Sequence, residues 1–217
     1  MTVAAGAVLL LAACVTTAGT DRPRPPTSCP RITSDYGALE GYRVSPHTGI
    51  DIGARYGAPV LAAAPGVVVF IGDRRPGNLV SEATDRQKSV AIYHGGMLTP
   101  AGDELFVSTS YDHLSRFAEG LRDGDFVRRG QHIGANGASG ATGPVGFPHI
   151  HFGVRVTGTP KVYTGLSRRN PHDFWWQAGP GERAIHAFDP DQDYGDPTAI
   201  EWMPETRISG LTYPAEC

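Results

Sequence analysis

Four short apolar runs, each bounded by turn residues, set the tightest limit on what this chain folds into. They are Val67-Val68-Val69-Phe70-Ile71, Ser89-Val90-Ala91-Ile92-Tyr93, Leu105-Phe106-Val107 and Ile150-His151-Phe152-Gly153-Val154-Arg155-Val156. All have the length of strands and are rich in β-branched or aromatic residues. The 28 glycines and 18 prolines, beside a charged fraction of only 19%, favour short strands joined by many turns over long helices. With 217 residues and 40% apolar content, the chain can bury one sizeable core and falls short of two. The expected fold is mainly β, a single antiparallel β-sheet or sandwich domain with an open groove.

Two polar stretches interrupt the strand pattern. Residues 72–88 carry Pro76, Gly77 and Asn78 and read as a hairpin excursion from the sheet, and residues 95–104 read as a second one. After Val156 the texture becomes polar and aromatic. Asn170-Pro171-His172-Asp173-Phe174-Trp175-Trp176 reads as a short helix with Asn170 as N-cap and Pro171 in its first turn. The rest of this segment is too short and too poor in apolar periodicity to form a core of its own, so it is expected to wrap on the main domain. Trp175 and Trp176 fit that packing better than a substrate platform.

The first fourteen residues, MTVAAGAVLLLAAC, form an apolar run too short to span a bilayer and read as an export signal. Leu11-Ala12-Ala13-Cys14 resembles the lipobox of bacterial lipoproteins, in which cleavage leaves the cysteine as a lipid-carrying N-terminus. The alternative is an ordinary signal peptide with an incidental cysteine, since the leader lacks the usual positive stretch. Val15 after Cys14, in place of Asp, is compatible with sorting to an outer membrane if the cell has one. Residues 15–28 read as a flexible tether. The expected division is therefore 1–14 signal, 15–28 tether, 29–156 main domain and 157–217 appendage.

Cys29 and Cys217 sit at the two ends of the folded region, and in an exported protein that pair suggests a disulfide over two free thiols. Closing so long a loop stabilises by roughly 4 to 5 kcal/mol in the chain-entropy picture. No C-x-x-C spacing marks either as a metal ligand. A formal net charge of -3, with no Lys/Arg run, gives no footprint for nucleic acid.

Among the eight histidines, His94, His132, His172 and His186 read as solitary structural residues. The others have informative company. In His149-Ile150-His151 the two-residue period of a strand sends both imidazoles to one face and Ile150 to the other. In His47-Thr48-Gly49-Ile50-Asp51, the preceding Pro46 and the internal Gly49 argue for a turn entering a strand rather than a helix face. Zinc accepts His nitrogen and Asp oxygen, and three protein ligands with one open position make a catalytic site. The set His47, Asp51 and His151 has that count.

These motifs, with Tyr111-Asp112-His113-Leu114-Ser115 between them, resemble the three motifs of the lysostaphin-type (LytM-domain) zinc endopeptidases. Gly49-Ile50-Asp51-Ile52-Gly53, Gly57-Ala58-Pro59-Val60, Ala62-Ala63-Ala64-Pro65-Gly66-Val67-Val68, Gly124-Asp125-Phe126-Val127 and Gly130-Gln131-His132-Ile133-Gly134 follow the family pattern in order, over residues 31–156. The resemblance implies the lysostaphin-type (duplicated hybrid motif) fold and one zinc per chain bound by His47, Asp51 and His151. It also implies that His113 and His149 stay off the metal and assist catalysis, one taking a proton and the other stabilising an oxyanion, with the assignment left open. The implied substrate is peptidoglycan, cut in its cross-links or stem peptides. Two alternatives stand beside this: a non-catalytic module that binds the wall or activates another hydrolase, as in relatives that have lost ligands, and a peptidase acting on a non-wall protein. This chain keeps all five positions. It departs from the pattern at Gly153, where the family often has Glu, and in the length of residues 72–88.

Two further segments resemble sites. Residues 134–143 are glycine-rich, but no Lys-Ser/Thr follows and Ser139 lacks a nucleophile-elbow context, so they read as a flexible wall leading to His149. Asp189, Asp191, Asp193 and Asp196 alternate like a calcium loop. However, Tyr194 stands where that loop needs Gly and Glu201 falls one position late, which favours a solvated acidic loop.

Overall fold

The strand runs assemble into two antiparallel sheets in the computed structural model, which describes residues 22–41, 43–74, 86–99, 102–140, 142, 146–160, 167–177, 179 and 184–217. Its strands are β1 (Arg31–Ser34), β2 (Ile50–Gly53), β3 (Pro59–Leu61), β4 (Gly66–Arg74), β5 (Gln87–Leu98), β6 (Glu104–Asp112), β7 (Arg116–Phe117), β8 (Phe126–Val127), β9 (His132–Ala135), β10 (Ile150–Thr157) and β11 (Ser167–Arg169). The large sheet runs β1-β2-β10-β6-β5-β4-β8, with β11 also on β10, and the small sheet runs β3-β9-β7. The four apolar runs fall in β4, β5, β6 and β10. In β10 the period of two is visible directly: Ile150, Phe152, Val154 and Val156 are buried, while His151 and Arg155 on the other face are half-buried.

Residues 95–104 are a correction to the expected second excursion. β5 continues to Leu98, which pairs with Glu104 of β6, and the turn between them is closed by the Thr99 N–H donating to the Asp103 carbonyl at 2.8 Å. Gly95 disguises the strand. It lies at a register shift with φ of 82°, and a Cβ there would stand 2.1 Å from the Thr206 carbonyl oxygen. The ends of residues 72–88 are likewise ladder, since Asp73 pairs with Lys88 across β4 and β5; residues 75–85 lie outside the described residues. So do residues 1–21, and with them the export signal, Cys14 and the first part of the tether. Among the described residues no helix is long and apolar enough to cross a membrane.

The expected helix after Asn170 is one 3-10 turn, Pro171–Asp173, whose Asn170 side chain accepts the His172 N–H at 3.1 Å. It stops there because Phe174 and Trp175 turn into the core, Trp175 stacking on Phe152 at 5.8 Å and 14°. Beyond it the chain straps itself to the sheets by backbone hydrogen bonds. Leu211 donates to Phe174, Thr212 to Ala63 and Leu61 to Pro214, at 2.8, 2.8 and 3.0 Å. Ile185, Ile208, Leu211 and Tyr213 join the common core.

Two fastenings hold this strap. Buried Arg129 donates to the carbonyls of Ala63 and Gly210 at 2.9 Å each and forks onto Asp196 with two contacts of 2.6 Å. Asp196 is thus spent on a cation of the protein itself. Asp189 and Asp193 instead accept the backbone N–H groups of Asp191 and Gly195 at 2.9 and 2.8 Å. The second fastening is the Cys29–Cys217 disulfide, which spans 188 residues. A loop of that size contributes about 5 kcal/mol in the chain-entropy model.

Candidate metal centre

Strand register builds the centre. Asp51 of β2 lies opposite His151 of β10, and His151 lies opposite Asp112 of β6, so the three side chains form a row on one face of the sheet. His47 enters from the loop before β2, which is closed by the His47 N–H donating to the Ala38 carbonyl at 3.0 Å and by the His47 carbonyl accepting from Gly37 at 2.8 Å.

Three atoms converge. His47 Nε2 and His151 Nδ1 are 2.9 Å apart, and they stand 3.0 and 2.9 Å from Asp51 Oδ1. His47 Nδ1 is already committed, donating to the Asp35 carbonyl at 2.9 Å. In the neutral ring its Nε2 is therefore a bare lone pair aimed at a carboxylate oxygen and a second imidazole nitrogen. A proton on His151 Nδ1 or a bound cation can satisfy these facing lone pairs. Donor atoms about 3 Å apart match a cation held about 2.0 to 2.2 Å from each, and this is the cluster of metal-ligating side chains found among the described residues.

Neighbours orient these groups. Asp51 Oδ2 accepts from Arg43 Nη2 at 2.8 Å, and Arg43 Nε donates to Glu40 at 2.5 Å, while Ser34 bonds both Glu40 and, at 3.2 Å, His47 Nδ1. Burial pushes the Asp51 carboxyl up, but contacts with the His151 and His47 rings, acting when these are protonated, outweigh it and hold the group far below the usual carboxylate range. Gly49 is needed for space: a Cβ there would lie 2.9 Å from the His151 ring and 2.4 Å from the Phe152 carbonyl. Gly153 has a similar reason, since its Cβ would stand 2.7 Å from Ser110 Oγ.

His113 and His149 border the cluster. Their ring centroids are 4.7 Å apart, and His113 lies 6.1 Å from His151. His149 precedes the first residue of β10, yet it keeps to the same face, with Nε2 3.7 Å from Asp51 Oδ1. Each ring is oriented through Nδ1, which donates to the Ser139 carbonyl from His113 and to the Phe147 carbonyl from His149, both at 2.8 Å. His113 has φ of 66°, a left-handed conformation that costs roughly 1 kcal/mol outside glycine. Burial and then the charge of His149 push its imidazole down to about 4, so it is neutral near pH 7.

The glycine-rich wall is more tightly tied than its composition suggests. Besides holding His113, residues of this segment accept the His149 N–H at the Gly137 carbonyl, 3.1 Å, and the Lys88 N–H at Ser139 Oγ, 2.9 Å. Gly137 is required by contact, because a Cβ would meet Ser115 N at 2.4 Å. Asp35, Glu40, Arg43 and Ser34 carry no spacing signal in the sequence; they join the centre through β1–β2 pairing and the loop that follows. Of the four solitary histidines, His132 is exposed on β9 and His186 packs edge-on to Trp176 at 5.0 Å. His172 contacts Asp35 at 3.0 Å. His94 is in the core, donating from Nδ1 to the Pro65 carbonyl at 2.8 Å and bonding Thr109 Oγ1 through Nε2 at 2.7 Å.

The sequence matches the model of peptidase family M23 over residues 45–162, a span that contains His47, Asp51, His113, His149 and His151. It is 36% identical over 138 residues to the DD-carboxypeptidase/endopeptidase Mpg of Neisseria meningitidis serogroup B, covering 60% of this chain and 25% of that protein. Identity to the peptidoglycan DD-endopeptidase ShyA of Vibrio cholerae is 35% over 119 residues, covering 54% and 22%. With the L-Ala--D-Glu endopeptidase of Bacillus subtilis it is 34% over 113 residues, covering 50% and 29%. The matched part of the chain spans only about a quarter of the length of these curated relatives. Among solved structures, the catalytic domain of lysostaphin from Staphylococcus simulans aligns with a TM-score of 0.46 at 24% identity, covering 65% of this chain and 89% of that one. A zinc-containing peptidase from Vibrio cholerae aligns with a TM-score of 0.45 at 26% identity, covering 68% and 38%.

Burial lowers the His94 pKa from 6.5 to about 4. Between these values the unfolded chain binds a proton that the folded chain does not, so stability falls as pH drops through that window, by on the order of 3 kcal/mol at its lower end. Urea denaturation at several pH values is expected to show a shallower pH dependence for His94→Asn than for the wild type; identical slopes would refute this role for His94.

Proposed function

The chain belongs to peptidase family M23, and on that premise we propose that it is a zinc-dependent endopeptidase that hydrolyses amide bonds in peptidoglycan cross-links or stem peptides. In this reading His47, Asp51 and His151 hold the metal, and His113 and His149 act on the substrate. The observation that carries it is the convergence of three donor atoms within 4.8 Å, with His47 Nδ1 already committed elsewhere. The wall substrate is supported by relatives named as peptidoglycan endopeptidases. The catalytic unit would be residues 29–156, with 157–217 as a strap on it.

Zinc bound at this cluster supplies Lewis acidity to the scissile carbonyl and to an attacking water. The rest is done by the chain's own groups. His113 and His149 have Nδ1 tied to backbone carbonyls, which leaves Nε2 as the working atom of each. A neutral Nε2 takes a proton from water, and a protonated one donates to the developing oxyanion or to the leaving amine. Arg43, by holding Asp51 Oδ2, leaves Oδ1 directed at the two imidazoles. The Leu11-Ala12-Ala13-Cys14 motif supports a lipid on Cys14 that would place the enzyme at a membrane beside its polymer.

Purified protein is expected to carry one zinc and to release muropeptides from sacculi. His151→Ala loses both, whereas His113→Ala keeps the metal and loses activity by about 10²- to 10⁴-fold, the usual worth of a general acid or base. Metal-free protein, or digestion unchanged by both substitutions, contradicts the enzyme reading; cleavage of a protein substrate with muropeptides left intact contradicts the wall substrate alone. For the anchor, mass spectrometry of the N-terminal peptide is expected to show a diacylglyceryl group on Cys14, and a wild-type protein with no lipid overturns it.

A further inference from the structure

His172, in the strap made by the C-terminal segment, lies beyond the span matched to the family, residues 45–162, yet its side chain reaches the surround of the metal centre at Asp35. We propose that His172 is a positioning residue of that centre, holding the Asp35 turn whose carbonyl orients His47. The inference rests on the reading that His47 binds zinc.

Four contacts form one directed chain. Trp175 Nε1–H, a group that only donates, points at His172 Nδ1 at 3.1 Å. His172 therefore accepts at Nδ1 and carries its proton on Nε2, which donates to Asp35 Oδ1 at 3.0 Å. The backbone carbonyl of Asp35 in turn accepts from His47 Nδ1 at 2.9 Å. His47 Nε2 is then left to face Asp51 Oδ1 at 3.0 Å. Trp175 sets the tautomer of His172 and the Asp35 carbonyl sets that of His47, while Asp35 joins the two by position; an outer partner of this kind orients a metal-binding imidazole and raises its basicity.

His172 is the stronger of the two side chains on Asp35. The other, Arg22, meets Asp35 Oδ2 at 2.7 Å but is 54% exposed, whereas the His172 side chain is only 7% exposed. An ion pair with an exposed partner contributes less than a part-buried bond whose donor is held by the fold, although Asp35 itself is 30% exposed in both. The Asp35 carboxylate accepts as an anion near neutral pH. The same strap packs on the apolar face of β10, where Trp175 stacks on Phe152, the residue after His151. His172 itself is fixed by the capped 3-10 turn, one residue after β11 and its neighbouring Asn170.

Zinc affinity of the full-length protein, measured by competition with a fluorescent chelator, tests the link apart from activity. His172→Ala and Asp35→Ala, which keeps the backbone carbonyl, are each expected to weaken zinc binding about 10-fold, the lower end of the cost of losing an outer partner. The double variant should lose no more than either single one, as expected for two residues acting through one contact. His172→Gln, which retains an acceptor and a donor, should restore most of the affinity, and the cobalt-loaded His172→Ala protein should show a shifted visible absorption spectrum. His186→Ala, in the same strap but away from Asp35, should bind zinc as the wild type does. Unchanged affinity in His172→Ala, additive losses in the double variant, or an equal loss in His186→Ala would overturn the role of His172. A wild-type protein that binds no zinc would overturn the metal-centre reading itself.

Discussion

The centre of this protein depends on one electrostatic constraint: a carboxylate is buried against two imidazole nitrogens, one of which has already given its proton away. Asp51 is 6% exposed, and His47 cannot donate to it once Nδ1 is turned to the Asp35 carbonyl. Burying such a charge costs several kcal/mol, of which Arg43 at the far oxygen offsets a part. A cation at the point where the three atoms meet removes that cost and gains Lewis acidity in the same step. The surrounding groups also follow from it, since Arg43 neutralises the far oxygen of Asp51 and Gly49 clears the space beside the His151 ring.

Placing those atoms is the work of strand register. A slip of one residue between β2 and β10 would send either Asp51 or His151 into the apolar face now filled by Ile50, Ile52, Ile150 and Phe152, all fully buried. The apolar face thus fixes the polar one. The strap adds a second layer of control from the far end of the chain. It is locked by Arg129 on Asp196 and by the Cys29–Cys217 bond, and it delivers His172, held by core Trp175, to Asp35 on the outer side of the same site.

Much of this was legible from short-range pattern. The β-branched runs mark β4, β5, β6 and β10 because a strand shows its buried face every second residue, and the same period predicts that His149 and His151 share a face. What escaped was either too short or non-local. The two-residue strands β7 and β8 carry no period at all. Gly95 and Gly96 hid the second half of β5, where glycine is needed at 95 because a Cβ would stand 2.1 Å from the Thr206 carbonyl of the returning chain, which pairs with Gly96 through Thr206 and Ile208 at 2.8 and 2.9 Å. Asp196 read as part of a solvated loop because its partner Arg129 is 67 positions away. His172 read as solitary because Asp35 lies 137 positions away and neither residue sits in a recognisable spacing.

The central claim is that two imidazoles and one carboxylate of this chain share a single zinc. X-ray absorption at the zinc edge of the purified protein tests it most directly. The account predicts a first shell of nitrogen and oxygen scatterers near 2.0 to 2.1 Å with outer-shell scattering from two imidazole rings. A sulfur shell near 2.3 Å, scattering from a single imidazole, or the same spectrum in His47→Ala would contradict it.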